Sequence, residues 1–278
     1  MRRFMASASI SPTTHYQYTF WLDRVGKLLN YPTPKVVTLA QLRQLERSYP
    51  GAESTKAVPF TVTRAMLIYA GCSAAREWKF HHRVRPKVDG VFLSDVDVAT
   101  IRQYARASGT ITELLFSLGA DNGLRMIDMR RLTMDNAREL SVYKKSTIVG
   151  KGRGGGKPGH LELSRMTEKP LAEYLKLREE WGSRYRDSDR LIVVPSPSGL
   201  HPASKQYIAA RITALSAASG IHFRTHDLRR TYGHRLHMAG VPIETIARLM
   251  RHDTINQSFR SYIGIDADEL RKAQDLLG

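Results

Sequence analysis

The chain has 278 residues, 42% of them hydrophobic, enough to build real cores and to exclude a disordered chain. No run approaches the roughly 18 apolar residues a membrane span needs, MRRFMASASISP lacks the apolar stretch of a secretory signal, and Cys72, the single cysteine, excludes a disulfide scaffold. Forty-three Lys and Arg against 26 Asp and Glu give a net charge of +17, and a chain this basic in a reduced, cytoplasmic setting is expected to bind a polyanion, DNA or RNA.

The N-terminal third is patterned as helices. THYQYTFWLDRVGKLL spaces Tyr18, Leu22, Val25 and Leu29 on one face after Ser11-Pro12. TLAQLRQLERSY follows, with Thr38 as N-cap and Leu39, Leu42 and Leu45 aligned. VPFTVTRAMLIYAGCSAAREW predicts a third helix, with Cys72 inside its apolar pattern. KFHHRVRPKVDG is basic, nearly devoid of apolar residues and punctuated by Pro86 and Gly90, so it reads as a linker with a domain boundary at about residue 88.

Beyond the linker, Ser94 stands three residues before Asp97 and caps the periodic run LSDVDVATIRQYARA. ITELLFSLGADNGLRMIDMRRL predicts two helices broken at Ala120-Asp121-Asn122-Gly123. ELSVYKKSTIVG and HLELS have the alternation of strands, and the glycine-rich segment between them makes a hairpin. Helical patterns return from Glu168, interrupted by LIVVPSPSGLHP. The expected fold is mainly α with a small antiparallel β-sheet.

The hairpin tip, VGKGRGGGKPGH, imitates a nucleotide site, since Gly150, Gly152 and Gly155 satisfy G-x-G-x-x-G. A dinucleotide fingerprint needs a helix after its glycines, to receive the pyrophosphate at the helix N-terminus; here a strand follows. A P-loop needs Gly where Lys151 stands, and Ser or Thr after its lysine, where Pro158 stands. A kinase loop does lie in a hairpin, but the downstream kinase signatures are missing. What remains is a cationic tip (Lys151, Arg153, Lys157) suited to a phosphate backbone.

The richest stretch is THDLRRTYGHRLHMAGVPIETIARLMRHDTINQSFRSYIGI, residues 225–265. His226 and Arg229 share a face at a helix start, with Leu228, Tyr232 and Leu236 on the opposite, core-facing side. Gly240 ends that helix and Pro242 opens the next, whose Ile243, Ile246 and Leu249 point inward. His252 follows, and Tyr262 stands ten residues later. Arginine binds phosphate oxygens bidentately, histidine moves protons near neutrality and tyrosine serves as a covalent nucleophile, so this set suits phosphoryl chemistry. Singly, each has an ordinary explanation: Arg125 a salt-bridged surface arginine, Tyr262 a packing residue, His252 a cation at a helix C-terminus. His234 and His237, at helical spacing, have no third partner for a metal site.

H-x-x-R, a leucine-rich helix ending in R-H, and Y-I-G-I together resemble the catalytic domain of the tyrosine recombinases, the phage-integrase and Xer-like enzymes, with an ending more like archaeal members. Upstream, GLRMIDMRRLTMDNA resembles the family's first box, which places its arginine at Arg125 and the supporting acid at Asp128, while the hairpin lysine falls on Lys151. The N-terminal helices resemble the family's SAM-like DNA core-binding domain. The family spaces its last His and Tyr nine residues apart; the extra residue here is expected to be absorbed by NQSFRS.

The resemblance implies residues 1–88 as core-binding domain and linker, and 89–278 as an α+β catalytic domain. It implies six catalytic residues: Arg125, Lys151, His226, Arg229, His252 and Tyr262. Arg125 and Arg229 would clamp non-bridging oxygens with help from His252. Tyr262 would attack with His226 as base, and Lys151 would protonate the departing 5′-oxygen, with Lys157 its rival. The phosphotyrosine link conserves bond energy, so no cofactor or metal is expected. The implied partners are double-stranded recombination sites, with a monomer in solution, a homotetramer in the synaptic complex and an amphipathic tail over DADELRKAQDLL docking between protomers; no membrane partner is expected. The alternatives are a catalytically silent architectural protein and a type IB topoisomerase-like enzyme.

Overall fold

The structure, a computed structural model, describes residues 2–7, 10, 12–51, 53–80, 91–150, 156–182, 184–185 and 187–251. The linker over 81–90, Lys151, the remainder of the glycine tip, His252, Tyr262 and the tail helix therefore lie outside the described residues. The chain divides into two compact units, which meet in the sequence near residue 88.

The first unit contains α1 (Arg2–Ser7), α2 (Pro12–Leu28), α3 (Leu39–Ser48), α4 (Glu53–Tyr69) and α5 (Ser73–Glu77). Thr38 caps α3 in a reciprocal box, its hydroxyl accepting from the Gln41 N–H at 3.3 Å while the Gln41 side chain accepts from the Thr38 N–H at 2.9 Å. The core joins Val25 of α2, Leu42 and Leu45 of α3 and Phe60 of α4, with Phe60 ringed by Tyr49, Trp78 and Phe80 at centroid distances of 5.3–5.7 Å. The third predicted helix is in fact two. The chain turns at Gly71, whose φ of +85° suits glycine, and Cys72 sits buried at the cap of α5 with its thiol on the Val37 carbonyl. The sequence pattern did not include α1.

The second unit is built around a helix with no exposed face. α6 (Asp95–Ala107) is capped by Ser94, whose hydroxyl accepts from the Asp97 N–H at 3.1 Å. α7 (Thr110–Ala120) is buried along its whole length from Ile111, as its all-round hydrophobic sequence requires. Its polar groups are satisfied locally: Glu113 pairs with Arg106 at 2.9 Å, and Asp121 just beyond it receives a forked pair of bonds from Arg102 at 2.7 and 2.9 Å.

The chain continues through α8 (Met126–Arg131), α9 (Met134–Tyr143), β1 (Lys145–Val149) and β2 (Pro158–Glu162). The last part of α9, Glu139–Tyr143, corrects the strand expected there. Thr133 and Asn136 form a capping box that starts the helix, Ala137 and Leu140 bury one face, and Lys144 at φ +59° ends it. The expected antiparallel hairpin is present, with Lys145 opposite Glu162 and Val149 opposite Pro158, and Ile148 and Leu161 turned into the core.

After α10 (Arg165–Gly182), the LIVVPSPSGLHP interruption is a second hairpin, β3 (Val193–Ser196) and β4 (Gly199–Pro202). The described residues thus hold two small antiparallel sheets in a mostly helical frame, where a single sheet was expected. Tyr174 braces the second hairpin, donating to the Leu191 carbonyl at 3.0 Å and accepting from the Val193 N–H, and burial pushes its phenol up to about 12. α11 (Lys205–Ser219), α12 (Thr225–Met238) and α13 (Ile243–Leu249) complete the unit. α6, α10, α11 and α12 all pack on α7, so the two segments carrying Arg125 and His226 are tied to one central helix.

Candidate active site

The site begins at the turn between α7 and α8. Gly123 there has φ +60°, and a Cβ would run into the Tyr232 ring and stand 3.0 Å from the Met250 sulfur. Its neighbour Asn122 is buried and reaches the hairpin, donating to the Glu162 carbonyl at 2.8 Å and accepting from Thr167 at 2.6 Å. Arg125 caps α8. Its backbone N–H donates to Asp128 Oδ2 at 3.1 Å, and its guanidinium lies 3.9 Å from the same oxygen with the side chain 22% exposed. The expected supporting acid is thus fully buried behind a partly open arginine.

Arg229 enters from α12. It is 1% exposed, and its guanidinium donates to the carbonyls of Gly123 and Met250. Those two bonds hold together the arginine turn, α12 and the end of α13. One helical turn earlier, His226 is exposed and is not buried alongside Arg229, although the two residues are three apart. Protein around the ring lowers the pKa of His226, and the charges of Arg230, Arg229 and Arg125 lower it further against the opposing effect of Asp227. Its imidazole is therefore predominantly neutral at pH 7, with a lone pair available to accept a proton. Leu228 is buried as predicted, while Tyr232 and Leu236 pack part-buried on Ile246 and Met250.

The hairpin reaches the same place. Gly150 continues the ladder with its N–H on the Lys157 carbonyl at 2.9 Å, and a Cβ on it would stand 3.2 Å from Asp128 Oδ1. Arg131 donates to the Gly150 carbonyl, which fastens the strand end to α8. Lys157 is exposed just before β2. The structure thus brings Arg125 and the base of the lysine hairpin to Asp128, ties Arg229 to the arginine turn through the Gly123 carbonyl and leaves His226 within the field of both arginines.

Sequence reasoning missed Arg251. It stands beyond α13 at φ +52°, with its side chain turned inward to lie 3.6 Å from Asp128. The R-H dipeptide was the only local sign of it. His234, partly exposed, stacks on Phe92 at 4.4 Å, and no group of three potential metal ligands occurs among the described residues.

A helical unit that sets one arginine against a buried acid at the base of a hairpin, and a second arginine on the same turn, is the kind of protein that works on a phosphodiester. The family model described as "Phage integrase family" matches residues 92–269, and the chain belongs to that family, the tyrosine-type site-specific recombinases. No curated protein matches the sequence. The fold is similar to that of XerA recombinase, at 20% identity with a TM-score of 0.56, covering 99% of this chain and 97% of that one. It is also similar to the Tn1549 transposon integrase in complex with circular intermediate DNA (13% identity, TM-score 0.70, 98% of each chain). A third is the lambda integrase dimer bound to a COC′ core site (15% identity, TM-score 0.62, 96% of this chain and 78% of that one). At these identities the likeness to the solved structures is one of fold.

Proposed function

We propose that the protein cuts and rejoins double-stranded DNA at recombination sites through a covalent 3′-phosphotyrosine intermediate. The observation that carries this reading is Arg125 held against buried Asp128, with Arg229 tied to the same arginine turn through the Gly123 carbonyl and His226 within the field of both arginines, on a unit matched by the family model. Arg125 and Arg229 offset charge on the non-bridging oxygens as the phosphorus becomes five-coordinate; Arg125 is already partly open, whereas Arg229 must turn out of its two carbonyl bonds to reach them. His252 adds a hydrogen bond to the same oxygens.

The Tyr262 oxygen forms a bond to phosphorus, and the bond to the 5′-oxygen breaks. An unperturbed phenol titrates near ~10, so the nucleophile gives up its proton as it attacks, and the neutral imidazole of His226 accepts it. Lys151 donates a proton to the departing 5′-oxygen. Lys157, whose carbonyl accepts from the Gly150 N–H across the same hairpin, is its rival for that role. Attack by a free 5′-hydroxyl reverses every step, and no energy source is consumed. Residues 1–88 serve as the core-binding domain and linker, and four protomers assemble across two sites, with the tail docking between neighbours.

A duplex nicked near the cleavage point traps the covalent intermediate, because the short 5′-fragment diffuses away. The wild-type protein is expected to accumulate a protein–DNA adduct and Tyr262→Phe to accumulate none. Equal trapping by both, or by neither, removes the catalytic reading. A Holliday junction formed from two intact sites separates recombination from simple nicking and closing.

A further inference from the structure

Arg251 adopts a backbone conformation that disfavours any residue with a side chain, at φ +52°. Its side chain is nevertheless held inside, 9% exposed. The stem lies along β2: a Cβ on Gly159 would stand 3.1 Å from Cδ and 3.3 Å from Cγ of Arg251. Nη1 donates to the Leu249 carbonyl at 3.3 Å, and Nη2 stands 3.6 Å from Asp128 Oδ2. Nε and Nη2 are buried without a hydrogen-bond acceptor, and Asp128 Oδ1 is buried without a donor. The unsatisfied donors and the unsatisfied acceptor therefore belong to the two halves of one ion pair.

The geometry points to Arg251 as a positioning residue of the cleavage site: it pairs with Asp128, so that this carboxylate orients Arg125 without repelling the phosphate, and its stem seats the lysine hairpin. The inference rests on the proposed cleavage reaction. Its physical basis is the charge balance. Asp128 is the acid that orients Arg125, but a bare buried carboxylate beside a phosphodiester would oppose the charge that develops in the transition state. Arg125 can bond both groups, but its single positive charge cannot offset both Asp128 and the phosphate. A second guanidinium behind the carboxylate removes that conflict. Burial draws the Arg251 guanidinium below its ordinary value; Asp128 opposes this and Arg125 adds to it, as expected for two cations sharing one acid. The contact with Gly159 gives Arg251 a second effect, since the same side chain sets how close β2 stands to the arginine turn.

The test uses the full chain and compares single-turnover trapping on the nicked duplex, equilibrium binding to the same duplex, and Tm. Arg251→Gly keeps the left-handed turn that glycine favours while removing the guanidinium. It is expected to melt at a lower temperature, because Asp128 loses its partner, and, assayed below its own Tm, to bind DNA within about threefold of wild type but to cleave on the order of ten- to hundredfold more slowly. Arg251→Lys, which restores charge without the fork, should recover part of that rate. Gly159→Ala, which presses a methyl onto the stem while leaving the guanidinium in place, should slow cleavage by a smaller factor. In a double-mutant cycle, Arg251→Gly should add little to the loss already caused by Asp128→Asn, because both act through one pair. Wild-type cleavage by Arg251→Gly, or losses that multiply in the double variant, would overturn the assignment. Absence of trapping by the wild-type protein would instead remove the cleavage reading beneath it.

Discussion

At the scale of the residue, His226 carries the site's dependence on pH. Its pKa is lowered first by the protein that takes the place of water around the ring and then by Arg230, Arg229 and Arg125. In the free protein its imidazole should therefore titrate below the ordinary value of 6.5, as followed by the ring C–H signals in proton NMR. Arg230→Gln should raise the midpoint toward that value, and an unchanged midpoint would show that the arginine field does not reach the ring. The sign for stability follows from proton counting. A folded state with the lower pKa binds fewer protons than the unfolded chain, so His226 weakens folding as the pH falls below 6.5, and the penalty is complete below the folded midpoint. At pH 7 and above it has little effect. A phosphate beside the ring favours the protonated form, so the acidic limb of cleavage in the bound complex should lie above the midpoint of the free protein.

At the scale of the element, the turn from α7 into α8 has two roles that conflict with any substitution. Gly123 takes a positive φ, its Cα hydrogens face Tyr232 and Met250, and its carbonyl receives Arg229. Gly123→Ala adds backbone strain and a collision, and should cost about 1–3 kcal/mol, or roughly 2–4 °C in Tm per kcal/mol. Cleavage should fall by more than the loss of folded protein explains, because the acceptor of Arg229 moves with the turn. A variant with lowered Tm and wild-type cleavage per folded molecule would mean that the turn only supports the fold.

This turn also shows what the sequence could tell. Ala120-Asp121-Asn122-Gly123 is legible as a break because its residues act locally, as are the caps at Thr38 and Ser94. The acceptors of Arg229 are not legible, since the two carbonyls lie 106 and 21 residues away in the chain. The strand read into Glu139–Tyr143 failed for a related reason. Its short alternation fits either structure, and the Thr133–Asn136 box just upstream commits the segment to helix. The second hairpin was hidden because Pro195 and Pro202 fall within its strands, where such a short pair tolerates them. Arg125, His226 and Arg229 were singled out through a resemblance carried by several boxes at once. Arg251 sits beside one of those boxes, and only its inward turn onto Asp128 reveals it.

At the scale of the whole molecule, the question is how much of the net charge of +17 serves binding and how much serves chemistry. Each phosphate neutralised by Lys or Arg releases condensed counterions, so log K for duplex binding should fall linearly with log salt, at about −0.9 per contact. If six to ten contacts form across the two units, affinity should drop by about 10³–10⁵ between 50 and 200 mM salt. Arg125→Gln removes one contact at most, so it should shift the slope by about 1 or less while slowing cleavage by on the order of 10²-fold or more. An exposed lysine or arginine away from Asp128 should do the reverse when neutralised, reducing the slope by a similar amount and leaving single-turnover cleavage at saturating protein unchanged. A slope near zero for the wild-type protein would mean that the basic surface does not track the duplex. Loss of binding and cleavage in the same proportion for Arg125→Gln would place that arginine among the general phosphate contacts. The partition expected here, with many cations for affinity and few for rate, follows from position. The surface charges meet DNA through water and salt, whereas Arg125 stands over a buried carboxylate where screening is weak.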